Sequence, residues 1–147
     1  MAITAAVRSQ PLPAPFVTAA RRVDVLTEAV ITVETDEGIS GCCGAPDTAA
    51  VTGDTPGSAV YAAEHIFAPL LVGRELTADV SECCEKALYG NPGAKAALDV
   101  AVHRALAASR GVPLCALLGG RPHELTTDLT ISAGAPSDVA SRAADAY

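Results

Sequence analysis

Tryptophan is absent from this chain, and only three tyrosines and two phenylalanines stand among its 147 residues. A core without bulky rings must be built from Ala, Val, Leu and Ile, so its helices and strands have to pack closely over small side chains. Positive charge is scarce as well. Ten Lys and Arg face seventeen Asp and Glu, for a net charge of −7, and no basic run exceeds the Arg21-Arg22 pair. That makes nucleic acid and anionic membrane poor partners. No apolar run approaches the roughly 18 residues of a membrane span. The first residues carry an early Arg and no uninterrupted apolar stretch, so a signal peptide is not expected and a cytoplasmic setting is. What remains is ample: half of the residues are apolar, enough for one domain with a core of its own.

Cysteine is present but in the wrong pattern for a metal. Cys42-Cys43 and Cys83-Cys84 are adjacent pairs, and Cys115 stands alone. Zinc sites separate paired ligands by two to four residues, and no His lies near either pair. Reduced thiols serving as small apolar side chains are the expectation.

Along the chain, Ile3 to Arg8 reads as a first strand. Pro11, Pro13 and Pro15 then predict an irregular loop as far as Arg22, because proline lacks the donor a ladder needs. Val23 to Glu34 is a long strand, 35–38 a turn with Gly38 at positive φ, and Ile39 to Cys43 a return strand. A second polar loop, Gly44 to Gly57, leads to a helix from Ser58 to Phe67 that Asp54 or Thr55 caps and Pro69 ends or bends. Thr77 is expected to cap the next helix. Pro92 and Gly93 open the longest one. Its apolar positions Ala94, Ala97, Leu98, Ala101, Val102, Ala105 and Leu106 recur at three and four residues, and Gly111 stops it. Leu114 to Leu118 is one further helical turn. Thr126 to Ser132 then alternates hydroxyl and apolar residues as a strand, with a helix start at Ser137-Asp138. Strands followed by helices make an α+β layer domain. The last segment instead begins a βα unit.

Few residues suggest chemistry unaided. Asp99 and His103 are four apart and read as a helical side-chain pair. His65 and His123 read as packing or surface residues. The TGDT loop lacks the glycine repeat and lysine of a phosphate cradle.

Four stretches bear a stronger signal: AKAALDVAVHRALAASRGVPLCALLGG, TTDLTIS (126–132), PFVTAARR (15–22) and AVTGDT (50–55). Together they resemble the muconate-lactonizing branch of the enolase superfamily, and within it the dipeptide epimerases of the L-Ala-D/L-Glu type. The resemblance implies a three-stranded antiparallel meander and a helical bundle forming an N-terminal capping domain over 1–124. It also implies the first βα unit of a truncated (β/α) barrel over 125–147. In that family the two loops reach over the barrel mouth and select substrate. Residue by residue, Arg21 matches an arginine that pairs with a substrate carboxylate. Thr130 and Ser132 match hydroxyl positions on the first barrel strand, Phe16 and Thr18 match positions that help close the site, and Thr52 and Asp54 belong to the second loop. The implied substrate is a dipeptide.

The resemblance also shows departures. Gly41-Cys42-Cys43-Gly44-Ala45 stands where family members usually have Gly-x-Gly-Glu-Ala, which leaves the second loop without its usual anchor. Arg104 stands where the long helix often carries Asp. The family reaction is proton abstraction α to a carboxylate, and an enolate forms only beside a divalent cation and other positive charge. Family members use Mg²⁺, held by three acidic residues, and barrel lysines as bases. This chain has only Lys86 and Lys95, both on expected capping helices. The chain alone is therefore expected to bind no Mg²⁺ and to be inactive. Its partner would be a complementing barrel fragment or a second copy. The alternatives are a muconate cycloisomerase or o-succinylbenzoate synthase-like member, or a non-catalytic binding or assembly module on the same fold.

Overall fold

The computed structural model describes residues 1–146, with only the backbone described at Ser81. Its first three elements are β1 (Ala2–Val17), β2 (Arg22–Glu34) and β3 (Ser40–Pro46), an antiparallel sheet in the order β1-β2-β3. β2 and β3 pair from Glu28 opposite Pro46 to Glu34 opposite Ser40. Gly38 takes φ 76° in the turn between them, as that turn requires.

The first loop is a correction. β1 continues through all three prolines to Val17. Alternation explains it. Successive N–H groups of a strand point to opposite sides. The Met1 carbonyl on the outer side accepts from Gly73 N, and Val17 N turns outward to Ser132. Odd-numbered residues of this edge strand thus face away from β2, and Pro11, Pro13 and Pro15 are all odd. Their missing donors fall where no ladder asks for one.

The second loop is also shorter than expected. β3 reaches Pro46, and a single helical turn, α1 (Ala49–Thr52), follows. Thr55 then caps α2 (Pro56–Tyr61) with a reciprocal capping box to Ser58. Pro69 neither ends nor visibly breaks this helix. α2 runs into a π-helical stretch (Ala62–Phe67) and on into α3 (Ala68–Leu71), with Ala68 N bonded to Ala63 O. Proline cannot donate, and it crowds the carbonyl four residues back. The wider turn just before it absorbs both demands. Thr77 does not cap α4 (Val80–Ala87); Asp79 holds that position, without a side-chain bond.

The longest helix, α5 (Pro92–Ser109), buries Ala94, Ala97, Leu98, Ala101, Val102, Ala105 and Leu106 as its periodicity predicts, and Ala107 besides. Gly111 follows at φ 63°. α5 lies on β3. At Gly41 a Cβ would fall on the Ala101 carbonyl and the Ala105 amide, so sheet and helix backbones meet almost directly. Ile31, Val33, Phe67, Leu71, Leu98 and Val102 form the innermost layer. α6 (Leu114–Leu117) closes this part of the fold.

The chain groups into two compact units. One holds Met1–Arg8 and Thr27–Pro122, with the whole core; the other holds Ser9–Leu26 and His123–Tyr147. Within the second, 126–132 carries no strand, contrary to its alternating pattern. A strand exists only against a neighbour, and no described residue offers this segment a ladder. α7 (Pro136–Asp145) follows, with Ala135 rather than Ser137 or Asp138 at its N-cap. No helix among the described residues is long and apolar enough to cross a membrane.

Candidate functional site

The residues that the family resemblance singles out as substrate ligands all lie in the second unit. They come from the β1–β2 hairpin tip and from the segment before α7. The hairpin turn is built around Thr18. Its backbone N–H donates to Arg21 O at 2.9 Å. Its hydroxyl accepts from Ala20 N at 3.3 Å and Arg21 N at 3.2 Å, and donates to Arg21 O at 3.3 Å. Thr18 therefore holds the turn, and its hydroxyl is committed there. Phe16, two residues earlier in β1, is half-buried.

The two adjacent arginines differ sharply. Arg22 is bound in a fork to Asp24, with Nε 3.1 Å from Oδ1 and 3.0 Å from Oδ2, and Nη2 2.8 Å from Oδ1. That bond and the charge of Asp24 hold the guanidinium above its ordinary pKa, opposed by slight desolvation. Arg21 is exposed, and its guanidinium makes no hydrogen bond or ion pair among the described residues. One arginine fixes the hairpin and the other is open to a ligand.

Thr130 and Ser132 also part company. The Ser132 hydroxyl donates to Pro15 O and accepts from Val17 N, both at 3.2 Å, and Ala133 N donates to Val17 O at 2.9 Å. Ser132 thus serves as a one-residue clasp on the outer edge of β1, giving a donor to the Pro15 carbonyl and an acceptor to the Val17 amide. Thr130 is exposed, and its hydroxyl has no partner among the described residues. Both line a concavity of about 340 Å³ with Leu129, Ile131, Arg142, Asp145 and Ala146. Arg142 and Asp145 of α7 were not singled out from the sequence, where nothing but their helical spacing of three marks them. Arg21, Phe16 and Thr18 do not line this concavity.

The second loop lies in the first unit. Thr52 Oγ1 is 2.7 Å from Thr48 Oγ1 and accepts from Asp54 N at 3.3 Å. Asp54 is 8% exposed and accepts from Gly93 N at 3.1 Å. His103 Nδ1 lies 3.2 Å from Asp99 Oδ1 and 2.9 Å from Asp99 O, the helical pair that their spacing suggests. His65 stacks on Tyr61 with ring centroids 4.6 Å apart.

The thiols are free, as expected, but the apolar role holds only in part: Cys84 is buried and Cys43 half-buried against the core, whereas Cys42, Cys83 and Cys115 are exposed. Adjacent positions cannot share a face, so each pair sends at least one thiol outward. Burial pushes the Cys84 thiol up to about 11, helped by Cys83 and opposed by Arg74. The Arg74 guanidinium donates to Cys83 Sγ at 3.6 Å. Among the described residues, no three His, Cys, Asp or Glu side chains converge as metal ligands.

Residues 2–119 match the N-terminal domain of the mandelate racemase / muconate lactonizing enzyme family. The chain belongs to that family. Among its relatives, the L-Ala-D/L-Glu epimerase of Bacillus subtilis (strain 168) is 35% identical over 135 residues, covering 90% of this chain and 37% of the relative. The substrate-liganded structure of the Bacillus subtilis L-Ala-D/L-Glu epimerase superposes with a TM-score of 0.90 at 33% identity, over 97% of this chain and 40% of the other. A dipeptide epimerase from Enterococcus faecalis V583, complexed with Mg and the dipeptide L-Leu-L-Tyr, superposes with a TM-score of 0.85 at 27% identity, over 99% of this chain and 42% of the other. This family member thus spans about two fifths of the length of the relatives it matches.

Proposed function

We propose that this chain is the capping portion of a dipeptide epimerase-like isomerase, with Arg21 as its ligand for a substrate carboxylate. The carrying observation is the contrast at the hairpin tip: Arg22 is committed to Asp24, while the Arg21 guanidinium is exposed and has no partner among the described residues. A planar guanidinium matches a carboxylate in a two-bond fork. The Thr18-centred turn presents it from a hydrogen-bonded hairpin tip. Thr130 offers an exposed hydroxyl, and Phe16 an apolar surface. Ser132 acts one step removed, by clasping β1. The epimerases among the relatives, one of them solved with a bound dipeptide, support the choice of substrate class.

Magnesium does not fit this chain's own residues. The described carboxylates sit singly or in ion pairs, as Asp24 with Arg22 and Glu85 with Lys95, and none gather in threes. In this reading the metal ligands and proton-transferring bases come from a barrel fragment, and the capping portion binds and orients the dipeptide.

Exchange of the α-proton of L-Ala-L-Glu in D₂O with Mg²⁺ tests this. The pure chain is expected to give no exchange above background. With the barrel portion of the Bacillus subtilis relative supplied in trans, exchange is expected. It should fall by roughly tenfold or more in Arg21→Ala, the loss of one charged hydrogen-bonding pair, and change little in Arg22→Ala. Equal losses in both variants would remove Arg21 from the site. Turnover by the pure chain that Arg21→Ala abolishes would overturn the division of labour.

A further inference from the structure

The second loop carries the only buried polar or charged side chain among the described residues, Asp54 at 8% exposure. It lies between α1 and α2, yet its Oδ2 accepts from Gly93 N, 39 residues away, at 3.1 Å. Gly93 is the second residue of α5. First-turn amides of a helix have no partner within it and need one from outside. The residue placed to supply one, Asn91, stands at φ 50°, ψ 50° and makes no cap bond. Asp54 does that work from another element, with a negative charge at the positive end of the helix dipole. Gly93 leaves it room, since a Cβ there would come 3.3 Å from Oδ2.

The same residue also closes its own loop. Thr48 N donates to Asp54 O at 3.2 Å, and Asp54 N donates to Thr52 Oγ1 at 3.3 Å. α1 between them buries no residue, and Val51 on it is 75% exposed. The turn therefore has no apolar attachment, and polar bonds through Asp54 tie it to the long helix.

We propose that Asp54 is a positioning residue, which fixes residues 48–53 to the N-terminus of α5 and so sets the conformation of this loop. It is tested on the whole chain without substrate. Backbone ¹⁵N relaxation should give order parameters of about 0.85 for 48–53 in the parent, falling below about 0.6 in Asp54→Ala while those of Leu98 and Val102 hold. Asp54→Asn keeps an acceptor of the same shape. It should retain the loop's order and move the Gly93 amide proton upfield, because a neutral acceptor makes a weaker bond. Unchanged order parameters in Asp54→Ala, or an unmoved Gly93 resonance in Asp54→Asn, would overturn the proposal. Dipeptide binding does not enter either measurement, so the epimerase reading can fail while this one stands.

Discussion

At Gly41 the sheet and the long helix come together with no side chain between them. A methyl group there would meet the Ala101 carbonyl, the Ala105 amide and Arg104 Cβ, all on α5 and two of them backbone atoms. Backbone cannot rotate out of the way, so Gly41→Ala should cost about 3 kcal/mol, the upper part of the usual range for overpacking, read as a fall in the urea midpoint. Arg104, which departs from the family pattern, has a role in the same contact: its Nη1 donates to Cys42 O at 2.7 Å, tying helix to strand. Cys84 makes a different kind of prediction. Its folded pKa of about 11 lies above the ordinary 9.0 because burial opposes the thiolate. Below pH 9 both folded and unfolded thiols are protonated and the group costs nothing. As pH rises from 9 to 11 the unfolded chain loses the proton first, so stability falls across that window. The slope of urea midpoint against pH should flatten there in Cys84→Ala. At pH 8, alkylation should label Cys42, Cys83 and Cys115 well before Cys84.

Among the elements, β1 shows how position outweighs composition. Three prolines in five residues argue for a loop until their parity is set against the sheet. Pro13→Ala should leave the fold's stability nearly unchanged, since that nitrogen faces the outer edge. Leu12→Pro moves the missing donor to the side facing β2 and should cost about 3 kcal/mol of local stability. Amide exchange across the hairpin tip checks both. The π-helical stretch before Pro69 was equally hidden, because a helix can either break at a proline or widen before it, and neighbouring packing decides. α5 was fully legible by contrast. Its seven periodic apolar positions are all buried, since a helix with one apolar stripe has only one way to face a sheet.

At the scale of the whole molecule, the segment 121–132 contributes no residue to the buried core. Leu125 and Leu129 are 76% and 70% exposed. Leu129 and Ile131 amides should exchange at nearly free-chain rates, while those of Leu98 and Val102 in α5 exchange slowest; comparable protection would mean that the segment has found a ladder partner. The sequence alone carried the family, through the long helix with its Gly-Val-Pro-Leu closure and the stretches 15–22, 50–55 and 126–132. It carried the meander, the core stripe and the turn at Gly38, because each rests on local geometry or on a period of two or 3.6 residues. It also picked out Arg21, but carried no sign that its neighbour Arg22 is committed to Asp24. Only the tertiary structure decided that Arg22 pairs with Asp24, that Ser132 clasps β1, that Asp54 caps a helix 39 residues away, and that 126–132 is no strand. Each of these depends on which group, near or distant, meets a donor or acceptor, and hydrogen-bonding capacity, unlike hydrophobic periodicity, leaves no trace of its partner in the chain.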